Sequence, residues 1–209
     1  MRQAMLVSIA ALPLLAGCGG GLSIGVGVGG GSGNVGVGAS ASVPITGGDQ
    51  SGAPAQLTVS MFKIDANGVG AEIGTLMLRD GRGGLRIEPA LTGLPPGEHG
   101  FHVHENPDCG PGMKDGKMQA GIAAGGHYDP NATGKHEGPF ANGHRGDLPM
   151  LVVDAKGNAN AAMNALHLTV NDVRGRAFVI HENPDNFSDQ PKPLGGSGAR
   201  IACGVVSAK

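Results

Sequence analysis

Between Ala53 and Lys209 the chain is broken into short apolar stretches, and none keeps a 3.6-residue period for more than about one turn, near Asn171–Val173. A helical domain is therefore excluded. Gln56–Ile64 alternates at period two over part of its length, and Ile73–Leu78, Leu85–Ile87, Gly100–His104, Leu148–Asp154, Asn158–Met163, Arg176–His181 and Arg200–Val206 follow as short strand-like pieces. Turn signals at Asn67-Gly68, Asp80-Gly81, Pro95-Pro96-Gly97 and Lys156-Gly157 separate them. Eight short strands joined by turns predict an all-β, antiparallel sandwich or barrel. Two stretches, Glu105–Asp147 and Glu182–Ala199, carry no strand pattern. Loops of such length in a compact domain are functional or disordered. These are rich in histidine, glycine, proline and aspartate, which points to a site.

The N-terminal quarter reads differently. Residues 19–48 hold 13 glycines in 30 positions, leaving little side-chain surface to bury against a high ordering entropy. The GxGxxG match at Gly25, Gly27 and Gly30 lacks a strand–turn–helix context and is a by-product of that composition. Ahead of it, Arg2 precedes an apolar run ending Leu15-Ala16-Gly17-Cys18, an export signal too short for a typical membrane span. This ending resembles a bacterial lipobox. The resemblance implies cleavage before Cys18 and acylation of that residue, the alternative being an ordinary signal cut near Ala16-Gly17. The expected organisation is a signal peptide at 1–17, a lipid-anchored flexible spacer at 18–52 and a folded domain at 53–209. A chain so built is expected in the cell envelope or periplasm, held at a membrane by its N-terminal lipid. A formal charge of −2 with one tyrosine and no tryptophan argues against a nucleic-acid partner.

The histidines are spaced as ligands. His102 and His104 stand two apart, so on a strand both imidazoles project from one face while Val103 faces the other. His127, His136, His144 and Asp147 follow at intervals of 9, 8 and 3, each near a glycine or proline where the loop can bend. Three imidazoles and a carboxylate complete a closed tetrahedral shell of the kind structural zinc takes. His181, ending the apolar run Ala177–Ile180, joins His102 and His104 in three imidazoles for a second metal. Imidazole serves copper, zinc, iron and nickel alike, so ligand type does not name the metals.

Several segments together resemble the bacterial copper–zinc superoxide dismutases: Gly97–His104, Ala124–Pro130, Thr133–Pro139, Gly143–Pro149, Asp185–Pro191 and Gly196–Gly204. The resemblance covers essentially all of 53–209. It implies an eight-stranded Greek-key sandwich or barrel with two long metal-binding loops. It implies copper on His102, His104, His127 and His181, and zinc on His127, His136, His144 and Asp147, with the His127 ring shared between them. It assigns Asp185 as the outer carboxylate linking His102 to His136, Arg200 as the cation that orients an anionic substrate, and a disulfide between Cys109 and Cys203. Setting Cys18 aside leaves these two as an even pair, and closing a loop of 94 residues is worth roughly 4–5 kcal/mol in a chain-entropy estimate.

The implied reaction converts the superoxide anion to dioxygen and hydrogen peroxide, with copper alternately reduced and reoxidised, zinc organising the loop, and His127 carrying a proton for the second half. Lys114 and Lys117, between Cys109 and His127, are candidates for electrostatic steering. His99 has no metal in this pattern and reads as a hydrogen-bonded structural histidine, and His167 has no assigned role. A purely structural envelope protein would account for the glycine-rich segment but not for the histidines. A copper-holding protein on the same fold would not need an anion-orienting Arg200. A zinc hydrolase needs an open zinc position, and neither H-E-x-x-H nor G-x-S-x-G is present. Glu182-Asn183-Pro184 stands where the bacterial relatives carry smaller residues, leaving the shape beside copper open. Met113–Ile122 lacks the tryptophan of a dimer contact, which leaves a homodimer open.

Overall fold

The computed structural model describes residues 56–209. The expected signal peptide, spacer and Cys18 lie outside the described residues. Strands β1 (Gln56–Asp65), β2 (Gly68–Gly81), β3 (Gly84–Leu91), β4 (Gly97–His99), β5 (Phe101–His104), β6 (Gly112–Lys114), β7 (Lys117–Gln119), β8 (Leu151–Val153), β9 (Met163–Ala165), β10 (Ala177–His181) and β11 (Arg200–Val205) are joined by one short helix, α1 (Val170–Val173).

Seven strands pair antiparallel in the order β5-β10-β11-β1-β2-β3-β9, and β4 pairs with β8. Only Gly100 separates β4 from β5, so the two are halves of one bent strand. With them joined, the row becomes eight strands, β8-β4/β5-β10-β11-β1-β2-β3-β9. The steps from β3 to β4 and from β8 to β9 cross between its flanks, the connections of a Greek key. One apolar cluster takes Leu85, Ile87 and Leu91 from β3, Leu151 from β8 and Phe178 and Ile180 from β10. The sheet is therefore curled around a single core, as expected for a closed all-β domain.

Burial follows the period-two pattern where one face is wet. In β3, Leu85, Ile87, Pro89 and Leu91 are buried while the residues between them are not. In β10 every residue is buried, because both faces are covered. Phe178 and Ile180 enter the main core, while Ala177 and Val179 join Cys109, Ala124 and Cys203 in a second cluster. The 105–147 loop supplies this outer cover. The Cys109–Cys203 disulfide, with Cα atoms 5.7 Å apart, fastens it to β11.

Three local expectations shift. The strand expected over Asn158–Met163 is interrupted. Ala159 bridges Leu91, and Met163–Ala165 pairs with Leu85–Ile87 in the same register. The gap falls opposite Pro89, which has no N–H to donate to the ladder. The turn expected at Asp80-Gly81 lies two residues later, since β2 runs through Gly81, and Asp80 Oδ1 accepts the Val170 N–H at 2.7 Å instead. Finally, the first long loop holds a hairpin, β6–β7. Its turn residues Asp115 and Gly116 have φ of 52° and 73°, the two left-handed positions of a type I′ turn.

Replacing both Cys109 and Cys203 by serine is expected to lower stability by about 2–5 kcal/mol, read as a drop in urea midpoint without a change in strand content. An unchanged midpoint would show that the loop is held by packing alone.

Candidate metal centre

β5 sends Phe101 and Val103 into the core and thereby turns His102 and His104 to the opposite face. The loop docks along this strand. Val103 N donates to Gly146 O and Tyr128 N to Val103 O, each at 2.8 Å, bringing His127 beside His104 and Asp147 beside His102. His181 arrives from β10, its N–H bonded to Gly100 O at 2.8 Å. The His102 and His127 rings stack with centroids 3.9 Å apart. Donor atoms of His102, His104, His127 and His181, all buried, lie within 4.8 Å of one another.

Hydrogen bonds take one nitrogen of His102, His104, His127, His136 and His181. Asp185 binds His102 Nε2 at 2.6 Å and His136 Nε2 at 2.8 Å through its two oxygens. His104 Nδ1 faces Gly125 O at 3.0 Å, and His181 Nδ1 faces Gly198 O at 3.2 Å. The nitrogens left over are His102 Nδ1, His104 Nε2 and His181 Nε2, the last two 3.4 Å apart. His127 Nδ1 meets Asp147 Oδ1 at 2.9 Å, leaving Nε2 for the first group.

Around Asp147 the leftovers form a second group. His136 Nδ1 lies 2.9 Å from Asp147 Oδ2 and His144 Nδ1 lies 3.5 Å from Oδ1, yet none of His136 Nδ1, His144 Nδ1 and Asp147 Oδ2 makes an aligned hydrogen bond. His102 Nδ1 is likewise buried without a partner. Buried polar atoms are otherwise almost always paired, so orphans that converge at this spacing fit metal ions. A tighter grouping about Asp147 contains His102 in place of His144. One nitrogen of His102 is taken by Asp185, whereas His144 Nδ1 is buried, unpartnered and 3.5 Å from Asp147 Oδ1, so His144 stands as a further candidate donor beside Asp147.

Gly195 closes the arrangement. At φ +71° it passes so near Asp185 that a Cβ there would stand 1.9 Å from Oδ1 and 2.8 Å from His136 Nε2. Only glycine lets the chain pass at this distance. His99 spans the carbonyls of His181 and Pro95, at 2.7 and 2.8 Å, the structural part expected of it. The backbone oxygen of His167 accepts from Arg145.

Arg200 reaches this face through a β-bulge. Ile180 opposes Ala202, but His181 opposes Arg200, so Ile201 is skipped. Ala202 lies in the core, and in a regular strand Arg200 would share its inward face. The extra residue turns it outward beside His181. Its guanidinium donates to Gly121 O at 2.5 Å and Gly125 O at 2.7 Å, so Gly125 O is shared with His104. A cavity of about 360 Å³ over the first group is lined by His127, His181, Arg200, Lys114, Asn183 and Lys192. Lys117 edges the adjoining hollow with Lys114 and Arg200. Asn183 belongs to the Glu182-Asn183-Pro184 segment whose shape the sequence left open, and Lys192 stands at no ligand-like spacing that would mark it in the sequence.

The two groups differ in charge. Burial pushes the His104 and His181 imidazoles well below their ordinary range and His127 down to about 3, with His102 close by adding to the effect on His127. These rings are neutral at pH 7. On the other side burial opposes ionisation, but the Asp147 and Asp185 carboxylates outweigh it and lift His136 to about 9. Asp147 is penalised by burial, yet its three imidazole partners hold it well below the usual carboxylate range.

Residues 73–206 match the copper/zinc superoxide dismutase (SODC) family. A Salmonella typhimurium protein named superoxide dismutase [Cu-Zn] 2 is 54% identical over 149 residues, covering 71% of this chain and 86% of the relative. The Escherichia coli superoxide dismutase [Cu-Zn] is 50% identical over 149 residues, covering 71% and 86%. Among solved structures, the Cu/Zn superoxide dismutase from Brucella abortus superposes with a TM-score of 0.72 at 47% identity, covering 73% of this chain and all of that one. The monomeric copper, zinc superoxide dismutase from Salmonella enterica superposes with 0.67 at 52% identity, covering 73% and 100%. The chain belongs to the copper/zinc superoxide dismutase family.

The charge pattern predicts a stability maximum for the chelator-stripped protein. Unfolded imidazoles take up protons near pH 6.5, whereas the folded His104, His127 and His181 resist until far lower pH. Stability must fall as pH drops below about 6.5, by about 1.4 kcal/mol per pH unit for each proton taken up only on unfolding. The raised His136 contributes stability that is lost as pH climbs through about 9. Calorimetry should place the highest Tm between these limits. A Tm that rises steadily into acid would contradict the assignment of neutral buried rings.

Proposed function

We propose that the chain dismutes superoxide to dioxygen and hydrogen peroxide. Copper would be held by His102, His104, His127 and His181, and zinc by His127, His136, His144 and Asp147. The observation that supports this reading is the convergence of buried donors: one nitrogen each of His102, His104, His136 and His181 is held by a hydrogen bond while the other is directed, with His127 and Asp147, at two neighbouring points. Bound copper supplies one-electron reduction and reoxidation, and zinc supplies a fixed charge without redox chemistry. Arg200, fixed by two backbone carbonyls, attracts the anion and orients it on the open side of the cavity. When its Nε2 is not bound to the metal, His127 would carry there the proton that leaves with peroxide, while Nδ1 stays directed at Asp147. Asp185 keeps His102 and His136 in the tautomer that presents Nδ1 outward. Lys114 and Lys117 extend the positive rim that draws superoxide in.

The fully paired Asp185 and the anchored Arg200 favour an enzyme over a copper store, which has no use for an oriented cation. The monomeric state of the Salmonella enterica relative supports a monomer here. We also propose that Cys18 is lipidated and tethers the domain to a membrane of the cell envelope, where it removes superoxide. The lipobox-like Leu15-Ala16-Gly17-Cys18 supports this.

Metal content and dismutation measured on the wild type beside two variants test the centre. His181→Ala is expected to lose copper and activity while retaining zinc. Arg200→Ala is expected to keep both metals and lose at least tenfold in rate, and replacing Lys114 and Lys117 together by glutamine should flatten the salt dependence of that rate. Near-wild-type turnover by the His181 variant would refute the copper assignment. For the anchor, Cys18→Ala should move the protein from the membrane to the soluble envelope fraction, and an unchanged distribution argues against lipidation.

A further inference from the structure

A chain that must hold copper and zinc a few ångströms apart has to tell them apart, and imidazole does so poorly. Affinity for nitrogen donors follows the metal more than the site, whereas thioethers select cuprous copper over zinc. The β6–β7 hairpin presents donors of this second kind. Met113 and Met118 are directly opposed across its ladder, on one face with Cβ atoms about 4.5–5.5 Å apart, as in any opposed pair. The tight Asp115-Gly116 turn fixes the register. Both side chains are left in solvent, 63% and 49% exposed, although each could have been a polar residue at no loss to the core. Among the described residues no other two methionines face each other in a ladder. Met118 edges the hollow that Arg200 also lines, and Lys114 of the same hairpin lines the cavity with His127 and His181.

We propose that Met113 and Met118 form a docking site for cuprous copper on the hairpin beside the cavity, from which the ion passes to His104 and His181. The inference rests on the reading that this chain uses copper. Two thioethers suit a singly charged, soft ion that accepts two ligands. Lys114 and Lys117 sharpen the choice. They oppose each other one step nearer the turn, on the other face, and their charge repels a divalent zinc ion twice as strongly as a monovalent one at equal distance.

The test uses the full chain, filled with copper and zinc and carrying 13C-methyl methionine. Silver(I) serves as a redox-inert probe, and the filled imidazole sites keep it from binding there. The Met113 and Met118 methyl resonances are expected to shift together and saturate at one silver per chain. Met77, 38% exposed on β2, should stay unmoved, and zinc(II) should move none of them. Met113→Leu with Met118→Leu keeps apolar volume and should weaken silver binding at least tenfold. The stripped variant should also take up cuprous copper more slowly than the stripped wild type, yet match the wild type in turnover once filled. Unmoved Met113 and Met118 resonances, or equal silver binding by the variant, overturn the proposal. A dimer in sedimentation that buries both side chains and persists in the leucine variant overturns it as well. Absent dismutation by the filled wild type would overturn the parent reading, and it is told apart from failure of the docking site because the silver titration does not depend on turnover.

Discussion

An imidazole has two nitrogens, and the centre depends on the protein binding one nitrogen of His102, His104, His136 and His181 and leaving the other bare. Without the bond from Asp185 to His102 Nε2, or that from Gly125 O to His104 Nδ1, each ring could flip or change tautomer and present a proton instead of a lone pair. The partners are of two kinds. Backbone carbonyls serve His104 and His181, while carboxylates serve His102, His127 and His136. Asp185 is the tie between the two groups, since one carboxylate orients a ring of each. Its own position depends on Gly195, which alone can pass so close to it. A single backbone requirement for a missing side chain thus propagates into the orientation of two ligands.

The barrel's contribution is to set these parts against a surface that does not yield. Phe101, Val103, Phe178 and Ile180 are fully buried in the core, which fixes β5 and β10 and therefore the outward direction of His102 and His104. The loop is then clamped from both ends of its path, by the disulfide at Cys109 and by backbone pairing of Gly146 and Tyr128 with Val103. Arg200 completes the clamp. Its two bonds to Gly121 O and Gly125 O tie β11 to the loop segment that also orients His104, so a shift of the cation would disturb a ligand. Substrate orientation and metal geometry share one carbonyl.

Much of this was legible in the chain. The i, i+2 spacing of His102 and His104 needs only a strand, and the strand is announced by its apolar alternation. The unbroken run Ala177–Ile180 ends in His181 because β10 is covered on both faces, a burial that a period-two reading also permits. What escaped reading depends on irregular pairing. The bulge at Ile201 reverses the face on which Arg200 lies, and nothing in Arg200–Val206 marks the skipped residue. Pro89 interrupts a neighbouring strand through an N–H it lacks, an effect visible only once Ala161 is known to stand opposite. The Asp115-Gly116 turn carried its own signal, but its flanking strands are three residues each, too short for alternation to register. Lys192 comes to the cavity by the path of a loop, and no spacing rule reports that.

The two donor groups that meet at His127 contrast in charge. On the first side, burial holds His104, His127 and His181 neutral, so a cation meets lone pairs and little net charge. On the second, Asp147 stays ionised against strong burial because three imidazoles share it, so a cation there meets a compensating negative charge. A divalent ion beside Asp147 would be stabilised by that charge as well as by coordination, and it would lower the cost of taking the proton from His127 Nδ1, leaving Nε2 a stronger donor toward the first group. The order of dependence runs from the carboxylate to the shared ring to the open cavity under Arg200. It sets the neutral group beside the cavity that Arg200 lines and the charge-compensated group on the far side of His127.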